Sequence, residues 1–87
     1  LMNRQKRITY LLEKNLKDFL IKIFDNSHLH AGHHNFNGSN ETHMLIELKC
    51  KKKINMNRLT IHRKINDLLA NEYNTGLHSI EIRIINF

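Results

Sequence analysis

The sequence predicts an α+β sandwich in the order α-β-β-α-β, a three-stranded sheet with helices packed on one face. Two stretches carry apolar residues at spacings of three and four, the mark of amphipathic helices. Two others alternate apolar and polar side chains, the mark of strands with one buried face. Turn-forming residues separate these stretches, and 87 residues suffice for one domain with a small core but not for a large enclosed active site.

Ile8, Leu11, Leu12, Leu16 and Leu20 follow the helical period, so the first helix is expected to end near Leu16. Phe19 to Phe24 is β-prone and Asp25-Asn26-Ser27 punctuates it, which predicts a first strand from about Phe19 to Asp25. Ile23 also satisfies the helical period and leaves that boundary open. Asn26 to Glu41 reads as a long irregular loop, and loops of such length in a compact domain are uncommon and usually functional or mobile. From Thr42 to Cys50 the pattern alternates cleanly, with Met44, Ile46, Leu48 and Cys50 on one face and His43, Leu45, Glu47 and Lys49 on the other. Lys51-Lys52-Lys53 opens a short polar connection. Ile61, Ile65, Leu68, Leu69 and Tyr73 mark the core face of a second helix from Arg58 to Tyr73, stopped by Asn74-Thr75-Gly76. Ile80, Ile82 and Ile84 alternate with Glu81 and Arg83 in a third strand, with His78 at its entrance.

Composition narrows the function classes. Fourteen Lys and Arg against eight Asp and Glu give +6, which attracts polyanions or an acidic protein without choosing between them. Abundant Asn, Lys and Ile beside scarce Ala look like nucleotide bias, which by itself raises the Lys count. The single Cys50 rules out an intrachain disulfide and fits a reducing compartment. No apolar run approaches the roughly 20 residues needed to span a bilayer. The basic start, Leu1 to Arg7, lacks the apolar stretch of a secretory signal. A bacterial cytoplasm or an organelle matrix is the expected location.

Histidine is the most informative residue type. Five of the seven (His28, His30, His33, His34 and His43) fall in one Asn- and Gly-containing stretch. Imidazole is a good metal ligand and titrates near neutral pH, so a loop loaded with it suggests metal or proton handling. A single loop histidine is more often only solvated; the clustering, with His78 downstream, weighs the other way.

Three segments, read together, carry a resemblance: Asp25-Asn26-Ser27-His28-Leu29-His30-Ala31-Gly32-His33, Gly38-Ser39-Asn40-Glu41-Thr42-His43, and Gly76-Leu77-His78-Ser79-Ile80. With the His62-Arg63 pair they make the chain resemble the BolA family from about Ile8 to Ile84. The resemblance implies a class II KH-like α-β-β-α-α-β fold, which requires the second helical region to be broken in two. It also implies a non-enzymatic protein that pairs with a monothiol glutaredoxin and shares a bridging 2Fe–2S cluster with it and glutathione. The isolated chain would then hold no cofactor and would be a monomer or weak homodimer. Some bacterial members of the family are described as transcriptional regulators.

By motif position, the resemblance places the cluster ligands on His30 in the loop and His78 before the last strand. Imidazole ligation of one iron raises a cluster's potential relative to all-thiolate ligation. Two histidines leave a cluster half-coordinated, so a second protein must bring thiolates; Cys50, this chain's only thiol, reads as a small core residue. His28, His33 and His34 are near enough to replace His30 or to form a weak, unselective zinc site. For His43 a structural hydrogen bond is expected. The chain departs from the family at Ile61, where a basic residue is usual, and at Lys53-Ile54-Asn55, which replaces an aromatic-acidic-Gly turn. The family's partner contacts are therefore not carried onto that stretch.

The alternative function is a DNA-binding regulator using the basic turn and second helix. Lys51, Lys52, Lys53, Arg58, Arg63 and Lys64, with Lys49 nearby, form a series suited to a phosphate backbone, although such charge runs are usually just solvated. Gly32, Gly38 and Gly76 do not form a G-x-x-G loop, so the KH clamp on single strands is missing, and few aromatics are present for base stacking. An enzyme is the least supported class: there is no Gly-rich nucleotide loop and no nucleophile elbow.

Overall fold

The computed structural model describes residues 2–27 and 41–86. Its elements are α1 (Arg4–Asn15), β1 (Phe19–Asp25), β2 (His43–Cys50), α2 (Arg58–Leu68), α3 (Ala70–Asn74) and β3 (Ser79–Ile85). The two longer helices start where an Asn side chain can take an otherwise unpaired backbone donor. Asn3 Oδ1 accepts from the Lys6 amide at 2.9 Å, and Asn57 Oδ1 from the Thr60 amide at 2.8 Å.

The strands form one sheet in the order β1-β2-β3. β1 runs antiparallel to β2, pairing Ile23 with Ile46 and Phe19 with Cys50. β3 runs parallel to β2, pairing His43 with Ser79 and Ile46 with Ile82. A parallel neighbour needs a crossover, and α2 and α3 supply it. Ile8 and Leu12 of α1, Ile61 and Ile65 of α2, and Leu69 pack against Phe19, Ile23, Met44, Ile46 and Leu48 from one face of the sheet. This is the α+β architecture expected from the sequence.

The order is α-β-β-α-α-β, as the family resemblance implies; its helix break, and one departure in the burial of β2, have physical causes. The second helical region is broken at Leu69, whose backbone (φ −95°, ψ 10°) leaves the helix while its side chain is fully buried. The break re-aims the next turn and brings Glu72 to the start of α1. β2 is buried beyond the single face that its alternation implies: His43 and Leu45 are also buried. As the central strand it is flanked on both sides, with Leu45 between Phe24 and Glu81. On the edge strand β3, Ile80, Ile82 and Ile84 are only partly buried. Phe24 and Leu20 of the other edge strand are exposed on the face that carries no helix.

Candidate functional site

The N-terminal ends of β2 and β3 lie together at one end of the sheet, where polar bonds fix the backbone. Asp25 Oδ1 accepts from the amide and hydroxyl of Ser27. Asp25 Oδ2 accepts from the Glu41 amide at 3.1 Å. The buried Ser27 Oγ in turn accepts from the Thr42 amide at 2.9 Å and the His43 amide at 3.3 Å. These bonds hold Ser27 and Glu41, the described residues flanking the segment 28–40, side by side.

The same backbone carries the histidines. The Thr42 carbonyl accepts from the His78 amide at 2.7 Å and from the Ser79 amide at 3.1 Å. This bond pair fixes the entrance of β3 to the entrance of β2. The His78 side chain is exposed, whereas His43 is buried. Their ring centroids lie 5.0 Å apart at an interplanar angle of 47°. His43 Nδ1 is paired with the Thr42 hydroxyl at 3.0 Å, the kind of structural bond anticipated for it.

A second network closes on this end of the sheet from α1. Arg7 holds Glu72 with two bonds of 2.8 Å, and Arg4 Nε adds one of 3.0 Å. The Arg7 bond is the main reason the Glu72 carboxyl sits below its ordinary pKa; burial opposes the shift and Arg4 reinforces it. Arg4 also donates to the carbonyls of Glu41 and Thr75, both at 2.6 Å.

Of the two ligands implied by the sequence, His78 is thus exposed beside the ends of the segment 28–40, and His30 lies outside the described residues, as do His28, His33 and His34. Cys50 is at the other end of β2 from His43, seven strand steps or roughly 23 Å away. It is half-buried and packs against the core, so it is not a thiolate for the histidine end. The described residues contain no cluster of three metal-ligating side chains.

Lys51, Lys52, Lys53, Arg58, Arg63 and Lys64 are all exposed. They occupy the β2–α2 connection and the first turns of α2, so their patch begins at the opposite end of β2 from His43. Lys52 Nζ meets Asp18 at 3.3 Å, an exposed pair that contributes little. Among the described residues no helix is long and apolar enough to cross a membrane.

Sequence reasoning missed the contact between His43 and His78 and the reach of Arg4. The ring contact depends on the parallel register of β2 and β3, and no spacing in the chain encodes that register. Arg4 gave no signal because a lone arginine in an amphipathic helix is normally a solvated residue.

The fold and this end of the sheet define a small α+β domain that offers exposed imidazole without neighbouring thiol. The model of the family described as BolA-like protein matches residues 2–86, and the chain belongs to that family. It is 34% identical over 84 residues to the UV-induced protein uvi31 of Schizosaccharomyces pombe, covering 93% of this chain and 82% of that one. It is 37% identical over 82 residues to the chloroplastic protein BOLA1 of Arabidopsis thaliana, covering 92% of this chain and 51% of the relative. The solved BolA domain of SufE1 from Arabidopsis thaliana superimposes with a TM-score of 0.79 at 33% identity, covering 98% of this chain and 93% of that one.

Proposed function

We propose that the chain is a non-enzymatic adaptor that shares a 2Fe–2S cluster, as cargo, with a monothiol glutaredoxin and glutathione. One observation carries this reading: an exposed imidazole is fixed at the sheet end while the only thiol is held at the other end of β2. Imidazole is a competent iron ligand, but one or two imidazoles leave half or more of a cluster's coordination open. Thiolates must then come from another molecule, which makes partnership a chemical requirement.

In this reading His78 and His30 hold one side of the cluster. His78 is backed by the bond from its own amide to Thr42, so its imidazole starts from a fixed backbone. His43 lies beneath it and is positioned by the Thr42 hydroxyl. Mixing the chain anaerobically with a monothiol glutaredoxin, glutathione, iron and sulfide tests the proposal. A 2Fe–2S chromophore that differs from that of the glutaredoxin alone, in a complex containing both chains, is expected. An unaltered glutaredoxin spectrum and no co-migration reject it.

A second reading, a DNA-binding regulator, is favoured by the exposure of all six residues of the basic patch. Salt-sensitive duplex binding by the chain alone would support it. Because this patch begins at the opposite end of β2 from His43, each function can be removed by substitutions that leave the other in place.

A further inference from the structure

We propose that Arg4 is a positioning residue for the histidine site. The inference rests on the adaptor reading for its consequence in the complex, but not for the geometry that carries it. The guanidinium of Arg4 reaches three separate parts of the chain. Its Nε donates to Glu72, Nη1 to the Glu41 carbonyl and Nη2 to the Thr75 carbonyl. Glu41 stands two residues before His43, and Thr75 three before His78. One rigid planar group therefore sets the separation between the two backbone segments that deliver the histidines.

Two features show that the chain is shaped around this contact. Glu41 has φ +66°, a left-handed conformation uncommon for a residue with a side chain. Three bonds hold it there: its amide to Asp25, its carboxylate from the Gln5 amide, and its carbonyl from Arg4. A sparsely populated backbone persists where the surroundings over-determine it, commonly at functional sites. Gly76, at φ +124°, lets the other segment pass close by, since a Cβ there would lie 3.2 Å from Arg4 Nη2. Two segments far apart in the chain thus carry unusual backbone, and the same guanidinium touches both.

Arg7 provides an internal control. It binds Glu72 more fully than Arg4 does, through two bonds against one, but its remaining bond goes to the Met2 carbonyl and not to Glu41 or Thr75. A merely structural role predicts that Arg4→Gln and Arg7→Gln behave alike. The positioning role predicts that only Arg4→Gln disturbs the histidines. Arg4→Lys keeps a charge near Glu72 but loses the fork, so it should resemble Arg4→Gln at the histidines while folding more stably.

The test compares these variants in the full chain at fixed pH, first alone and then mixed with the glutaredoxin, glutathione, iron and sulfide. In the free chain, ring NMR signals of His43 and His78 should move in Arg4→Gln and Arg4→Lys and stay near wild type in Arg7→Gln. In the complex, cluster retention by the Arg4 variants should fall about tenfold, as for other losses of outer-shell support, with an altered visible circular dichroism spectrum. Equal ring shifts in the Arg4 and Arg7 variants, or none in either, overturn the proposal. Should the wild-type mixture form no cluster, the adaptor reading fails, and the ring signals of the free chain still decide the role of Arg4. If Arg4→Gln does not fold, Arg4→Lys decides on the same signals.

Discussion

His43 and His78 meet ring to ring at 5.0 Å although they lie at the starts of two different strands. The parallel register, which sets His43 opposite Ser79, places His78 one residue outside the ladder and over the buried ring. One histidine is thereby exposed and the other sequestered beneath it.

This asymmetry gives the first prediction, on the adaptor reading. His78→Ala should abolish the visible circular dichroism signature of a mixed imidazole and thiolate cluster in the complex. His30→Ala should leave a weakened or altered cluster, because His28, His33 and His34 are close in sequence and able to replace it. A histidine loop that binds zinc by itself predicts the reverse: His78→Ala silent, and metal uptake without any partner. A wild-type spectrum for His78→Ala removes the basis for assigning it as a ligand.

The second prediction concerns the core. Ile46 is fully buried and Glu47, next to it, points to the opposite face. Ile46→Asp should unfold the domain, since an unpaired buried carboxylate costs several kcal/mol, comparable to the total stability of a small domain. Glu47→Lys sets a third cation between Lys22 and Arg83 and loses a weak 4.0 Å contact, so a cost of about 1 kcal/mol is expected. Thermal denaturation of the two variants checks the register; equal melting temperatures contradict it.

The third prediction is a pH dependence. The Arg7 hydrogen bond, offset by burial and reinforced by Arg4, lowers the folded-state pKa of Glu72. A lowered carboxyl pKa contributes stability that is fully present above the unfolded value, about 4.3, and is lost as pH falls through the folded value. Glu72→Gln should therefore be less stable than wild type at pH 7. The difference should shrink as the pH falls below about 4.3. Denaturant melts between neutral and acid pH measure this, and parallel curves for the two proteins would rule the linkage out.

The fourth prediction addresses the basic patch. If duplex DNA is a ligand, replacing Lys51, Lys52 and Lys53 together by Ala should weaken binding and flatten its salt dependence by roughly 0.9 log units per lost phosphate contact. Little sequence preference should be lost with them, because contacts to phosphate position a protein without reading bases. Fold stability should barely change, as the three side chains are exposed and the Lys52–Asp18 ion pair is at the surface. Unchanged affinity and salt slope would make the patch solvated surface only.

The sequence by itself determined the elements and their inward faces. Periodicity is local, and burial rewards it over a few residues at a time: Ile8 and Leu12 one turn apart, Met44, Ile46 and Leu48 two apart, Ile61 and Ile65 again one turn apart. The motif segments likewise placed His78 at the entrance of β3 from the sequence alone. Only the tertiary structure decided what these elements bring together. Whether β3 lies beside β2, and in which register, sets the His43–His78 contact, and the burial of Leu45 follows from β2 being central. The break at Leu69 decides that Glu72 meets Arg4 and Arg7. Arg4 reaches Thr75 across 71 positions of sequence and Glu41 across 37. Contacts at such separations follow from chain crossover and strand register, which a local pattern of apolar and polar residues does not specify.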